Sequence, residues 1–197
     1  MNERTKGGEP NSWKDSAITR IQKEDLKMGI LSGNPKDEPL HYGEVYGVWA
    51  FLTAAKGLVA GNQTHLNHAG DEDLRKLIEE AIHASQQEIK QIETLLKDNG
   101  VGLPPTPPER PKAALEDIPA GARFQDQEIA AALGTEIAAG LVSCSKMIGQ
   151  STREDIAMMF GQFHTQKASL GAKVLRLTKE KGWLVSPPLH YSKTEDR

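Results

Sequence analysis

Strand patterning is missing from this chain. Apolar and polar residues nowhere alternate over a convincing run, which argues against a sheet-based fold. Cysteine is nearly absent as well: Cys144 is the only one in 197 residues, so no disulfide framework forms within the chain. Its position on the apolar side of a helical segment predicts a buried, inert thiol. Charge of one sign is also lacking. Lys and Arg number 24 against 27 Asp and Glu, a net −3, and the two signs are interspersed, which argues against a nucleic-acid surface. No stretch reaches the roughly 18 uninterrupted apolar residues of a membrane span. The opening MNERTKGGEPNSWKDS is polar and interrupted by Gly and Pro, without the apolar run of a secretory signal. These absences lead us to expect a cytoplasmic protein with neither membrane nor nucleic acid as partner. Nucleophile elbow, phosphate-binding glycine loop, paired-cysteine motif and internal repeat are absent too.

What the chain does have is helical periodicity. Residues 42–67, 72–98, 125–150 and 152–181 carry apolar side chains at helical spacing. Long amphipathic helices of this kind bury their stripes most simply in an antiparallel four-helix bundle. Glycine at Gly70, Gly100 and Gly182 marks helix ends, with a left-handed conformation expected at Gly70. Asp71, Glu72 and Asp73 open the second helix with acids suited to its dipole. Ser151 followed by Glu154 reads as a capping box for the fourth.

Between the second and third helices, residues 101–122 hold prolines at 104, 105, 107, 108, 111 and 119. Proline at that density makes an extended strap. Such a strap reaches roughly 60 Å, enough for one long crossover of the kind found in ferritin-like bundles. The domain plan is therefore a flexible tail over 1–25, a bundle over 26–190, and a flexible tail over 191–197. Ile18, Ile21, Leu26, Met28, Ile30 and Leu31 offer apolar surface for packing back on the bundle, and 183–189 is expected to fold over one end.

Helical-wheel placement at about 100° per residue sorts the candidate sites. On the first helix, Val45, Val48, Leu52 and Val59 form a core stripe. Opposite them runs a line of small residues, Gly43, Gly47, Ala50, Ala54, Gly57 and Gly61. Several glycines weaken a helix, so this face is expected to be covered, either by the chain's own segments or by a second copy in a homodimer. Glu80 and His83 have the Glu-x-x-His spacing of di-iron bundle proteins, but lie roughly 140° to 160° from the centre of the inward stripe. No second pair exists, since Gly161 stands three residues before His164. Glu44 and Glu136 flank their stripes without completing a ligand set, so Glu44, Glu80, His83 and Glu136 are weak metal candidates only. His65 and His68 suit the end of the first helix, and zinc there lacks further ligands.

Lys167 falls near the centre of the apolar stripe of the fourth helix, with His164 at its edge. A lysine there must be paired or reach out to solvent, and Glu88 and Glu136 are its candidate partners. The expectation is a structural polar network, with a small-ligand pocket on His164 and Lys167 as the functional alternative. Met158, Met159, Phe160 and Phe163 read as core.

Two stretches carry a family resemblance. One is Met28-Gly29-Ile30-Leu31-Ser32-Gly33-Asn34-Pro35 with His41-Tyr42-Gly43-Glu44-Val45. The other runs from Ala157-Met158-Met159-Phe160 through Phe163-His164-Thr165-Gln166-Lys167 to Lys181-Gly182-Trp183-Leu184-Val185 and Pro187-Pro188-Leu189-His190. With Ile118-Pro119-Ala120-Gly121-Ala122-Arg123-Phe124 of the strap, they resemble DUF3231, a bacterial family of unknown function that is distantly similar to spore coat protein F. The resemblance implies a ferritin-like four-helix fold, often in two tandem copies, whereas this chain holds one. That departure supports pairing between chains. It transfers no catalytic residue and no cofactor, and it suggests a structural role in sporulating cells. The reading is thus a non-enzymatic assembly protein, associated with the forespore or spore coat and its proteins. The opposing reading is a metal- or small-ligand-binding bundle with a degenerate di-iron site.

Overall fold

The structure, a computed structural model, describes residues 38–190; both expected tails and the apolar segment from Ile18 to Leu31 lie outside that range. The helical unit begins at Pro39. Its helices are α1 (Tyr42–His68), α2 (Glu72–Asp98), α3 (Asp126–Gln150) and α4 (Glu154–Glu180), with single 3-10 turns at Leu115–Asp117 and Ala120–Ala122. Among the described residues there is no strand.

Local chemistry sets the helix ends. His41 precedes α1: its Nδ1 accepts from the N–H of Gly43 at 2.9 Å and of Glu44 at 3.3 Å, while the Glu44 carboxylate accepts from the His41 N–H at 3.1 Å. This reciprocal arrangement satisfies donors that a helix start leaves open. An accepting Nδ1 places the proton of the neutral ring on Nε2, which donates to the Gln150 carbonyl at the end of α3. Asp71 caps α2 by accepting from Asp73 and Leu74.

Two helix ends differ from the sequence expectation. Gly70 does not take the left-handed conformation, and the described residues with positive φ are Gly100 at 72° and Gly182 at 71°. At the end of α1 the open carbonyls of Leu66 and Ala69 instead accept from the Arg75 guanidinium, so no left-handed turn is needed to close them. Ser151 does not cap α4 either. Its hydroxyl donates to the Met147 carbonyl at the end of α3, and α4 begins at Glu154. The N–H groups of Thr152 and Arg153, just ahead of it, are taken by Glu44 of α1 at 2.8 and 3.0 Å.

Cross-helix bonds fix the arrangement. α2 and α4 run in opposite directions, with Lys181 on Asp71, Lys173 on Glu80 and Lys167 on Glu88. α1 and α3 also oppose each other: Gln150 sits by His41, and Glu136 by Asn62. The proline-rich connection follows α1. Trp49 donates to the Gly102 carbonyl, Lys56 to that of Pro104 and Asn67 to that of Pro111, while Gln63 accepts from the Arg110 N–H. Prolines give the strap few N–H groups of its own, and Trp49, Lys56 and Asn67 of α1 donate to its carbonyls instead.

Two apolar clusters form the core. One contains Leu74, Ile78, Ile129, Leu133, Val174 and Leu177. The other contains Val48, Leu52, Ile92, Leu96, Phe160 and Phe163, its rings in edge contact at 5.5 Å. Trp183 packs on the first cluster, but Val185 and Leu189 are 92% and 69% exposed. The segment expected to fold over the bundle end therefore does so only at its first residue. The stretch Ala120–Gln150 is long and apolar enough by composition to cross a membrane. Here it forms one wall of the bundle, with Ile129, Leu133, Ile137, Cys144 and Met147 buried.

Candidate functional site

Between the two apolar clusters lies a polar layer. Lys167 enters it from α4 and Glu88 from α2, as their helical faces predicted. The Lys167 ammonium stands 2.8 Å from Glu88 Oε1 and donates to Oε2 at 2.9 Å. The two side chains are 16% and 1% exposed. Both carboxylate oxygens therefore face the one ammonium, with Oε1 held by the ion-pair contact alone. Burial pushes the Glu88 carboxyl above its ordinary range, and the Lys167 charge only partly offsets that. Lys167 also lies over the Phe51 ring, 5.6 Å from its centroid.

Gly140 of α3 makes room for this lysine. A Cβ there would stand 2.8 Å from Lys167 Cδ and 3.1 Å from Cε, so any larger residue would push the stem aside. Cys144, one turn further on α3, is fully buried. Burial raises its thiol to about 11, with Lys167 pulling it down and Glu88 pushing it up. A thiol held protonated in this way is a weak nucleophile.

Glu136, the other candidate partner of Lys167, is used elsewhere. It accepts from Asn62 Nδ2 at 3.0 Å, and His65 completes the chain by donating to Asn62 Oδ1. His164 is half-buried and lines neither of the cavities that Lys167 lines, so the pocket weighed as the alternative to a structural network is not formed by His164 and Lys167 together.

Two spaces adjoin the layer. A cavity of about 40 Å³ is bounded by Asn62, Ser85, Glu88, Glu136 and Lys167. A groove of about 490 Å³ opens between α1 and α3, and Ser85, Glu136 and Lys167 line it too. Its α1 wall is the small-residue face: Gly43, Gly47, Ala50 and Ala54. Small residues on α3, among them Ala139, Gly140 and Ser143, line the other side. Met147 packs so closely on Gly47 that a Cβ there would run into its Sδ. Gly57 and Gly61 face open space.

The weak metal candidates are dispersed. Glu44 is 1% exposed and bonds backbone N–H groups at both ends of its carboxylate. Burial alone would raise its pKa, but the N–H groups of Arg153, His41 and Thr152 outweigh this and hold it below the ordinary value. Glu80 pairs with Lys173, and exposed His83 lies beside Gln87. His68 accepts from the Phe124 N–H, and both His65 and His68 pack against the Phe124 ring. Among the described residues, no three His, Cys, Asp or Glu side chains come together as a metal would require.

Sequence reasoning missed Lys56. It is 4% exposed on α1, pairs with Glu93 at 2.8 Å and donates to the Pro104 carbonyl. Its spacing of four from Leu52 and eight from Val48 put it on the core stripe, so the same wheel would have found it.

Comparison with known proteins places these features. The chain is 63% identical over 166 residues to the uncharacterised protein YvdQ of Bacillus subtilis (strain 168), covering 84% of this chain and 98% of that one. A crystal structure from Bacillus halodurans C-125, of a protein provisionally named a spore coat protein, is 58% identical. It matches with a TM-score of 0.79 over 81% of this chain and 100% of that one. A DUF305 fragment from Deinococcus radiodurans shares the fold at 13% identity, with a TM-score of 0.57 over 73% of this chain and 99% of that one. The model of DUF3231, a protein family of unknown function, matches residues 28–195, and this chain belongs to that family.

Proposed function

We propose that the protein is a non-enzymatic structural component of the sporulating cell, a ferritin-like antiparallel bundle with one long crossover, used for assembly in the forespore or spore coat. The observation that carries this reading is the likeness, at 58% identity, to a protein provisionally named a spore coat protein. The engagement of the acids supports it: Glu44, Glu80, Glu88 and Glu136 each bond a neighbouring group of the chain itself, as in a scaffold.

Assembly in this reading begins with a homodimer. The small-residue face of α1 has bulky side chains beside it, with Tyr46 73% exposed and Val142 on α3 70% exposed. A two-fold axis through such a face sets knobs of one copy against holes of the other, an isologous contact. Light scattering at micromolar concentration is expected to give the mass of two chains, and Tyr46→Lys that of one. A wild-type monomer removes the dimer. For the role itself, a fluorescent fusion made in a sporulating Bacillus host is expected in coat extracts of mature spores. Its confinement to the mother-cell cytosol contradicts the proposal.

A further inference from the structure

The proline-rich strap is laid along α1 by side chains about two helical turns apart. Trp49 Nε1 donates to the Gly102 carbonyl at 3.0 Å and Lys56 Nζ to that of Pro104 at 3.0 Å, while Gln63 accepts from the Arg110 N–H at 2.9 Å. Asn67 then holds both the Pro111 carbonyl and the Ala113 N–H. From Trp49 to Asn67 the helix advances about 27 Å at 1.5 Å per residue. From Gly102 to Pro111 a polyproline II helix covers about 28 Å at its 3.1 Å rise. The two lengths agree, and the exposure of the strap repeats every third residue, as a polyproline II helix lying on one edge requires. Pro104 is buried and Pro107 half-buried, whereas Pro105, Pro108 and Pro111 are exposed, as are Thr106, Glu109 and Lys112.

We infer that the strap is a preformed docking segment for a second protein, one whose groove is lined by aromatic rings and takes the ridge of Pro105, Pro108 and Pro111.

Aromatic-lined grooves read polyproline II segments because the extended chain has little freedom left to lose on binding. Here the bonds to α1 fix that chain before any partner arrives. Successive ridge prolines stand about 9 Å apart, three residues at a 3.1 Å rise, and this sets the spacing of the partner's rings. The carbonyls of Pro105 and Pro108 have no donor among the described residues. They are open to an indole N–H or a phenol O–H in such a groove. On the neighbouring edge Glu109 and Lys112 have no ion-pair partner among the described residues, so the groove that fits carries a cation and an anion at the same spacing.

This surface does not rest on the assembly reading. On the helical wheel of α1 the side chains that hold the strap lie about 100° to 180° from Gly47, Ala50 and Ala54, so a second copy seated on that face leaves the ridge open. The test places a photoreactive diazirine side chain at Thr106 of the full chain, which is irradiated in extracts of vegetative and of sporulating Bacillus cells. A synthetic peptide of residues 103–114, in large excess, is the competitor. The expected result is one cross-linked protein, with the adduct beside a Trp or Tyr and its yield lowered by the peptide. Pro105→Ala/Pro108→Ala should reduce the yield about tenfold without changing the circular dichroism. Pro107→Ala, on the edge turned to the bundle, should leave the yield unchanged. An adduct confined to vegetative extract supports the docking segment and counts against the sporulation role alone. The inference is overturned by no adduct in either extract, by an adduct on a second copy of this chain, or by one that maps away from aromatic residues. A yield insensitive to the peptide, or lowered equally by Pro107→Ala, also overturns it.

Discussion

The two ends of the bundle share one device that the middle does not use. At one end Glu44, in the first turn of α1, takes the N–H groups of Thr152 and Arg153 ahead of α4. At the other, Asp126, in the first turn of α3, takes those of Gly70 and Asp71 ahead of α2. Each helical hairpin thus holds the turn that leads into the second helix of the other, and each carboxylate is satisfied by the donors it faces. In the middle Glu88 faces Lys167 alone, with both oxygens against the one ammonium. Carboxylates at the ends stabilise the fold. The buried pair between the clusters is a weak source of stability, since desolvation of two charges consumes most of their attraction.

Mutations should widen this contrast in a definite order. The largest effect is expected from Lys167→Met, which leaves the Glu88 carboxylate buried without a counter-charge: a loss of about 3–5 kcal/mol in urea unfolding. Next comes Glu44→Ala, which strands the N–H groups of Thr152 and Arg153 and should cost about 1–3 kcal/mol. Asp126→Ala removes the matching bonds at the other end, where the carboxylate is less buried. It should cost about 1 kcal/mol, near the usual value of a cap. If Asp126→Ala proves more damaging than Glu44→Ala, the ends are not ranked by burial.

The response to pH should separate ends from middle by sign. Glu44 titrates below its ordinary value in the fold. Its contribution is present above the unfolded pKa near 4.5 and is lost as pH falls through the lower folded value. Glu88 is shifted upward, so between 4.5 and its folded value the native state binds the extra proton, and stability declines as pH rises through that window. Unfolding midpoints from pH 3 to 7 are expected to lose the acid-side drop in Glu44→Gln and the decline above 4.5 in Glu88→Gln. The smallest effect is expected at Gly47→Ala. The gain of about 1 kcal/mol from alanine in a helix is offset by displacing Met147, for a net change within about 1 kcal/mol by thermal unfolding.

The parts of this structure legible in the sequence are those set by neighbours along the chain. Helix limits followed from periodicity, from Asp71 and from the glycines at 100 and 182. Lys167 and Glu88 were found because each faces the core of its own helix. What escaped depends on distant partners. Glu44 holds the turn before α4 from 108 residues away, where the local pattern had suggested a capping box of Ser151 and Glu154. Arg75 closed the end of α1, so Gly70 needed no left-handed turn. The small-residue face is legible on α1, but the groove also needs Ala139, Gly140 and Ser143 of α3 packed opposite it, which only the tertiary arrangement provides.

The buried Glu88–Lys167 pair contributes no more to stability than an apolar pair in the same space would. The most direct test is urea unfolding of the double variant Glu88→Leu/Lys167→Met beside the wild type. We predict a double variant at least as stable as the wild type, since an apolar pair in place of a buried ion pair is neutral or stabilising by about 1–4 kcal/mol. A double variant about 2 kcal/mol or more below the wild type would contradict it, making the pair a structural element like the caps at either end.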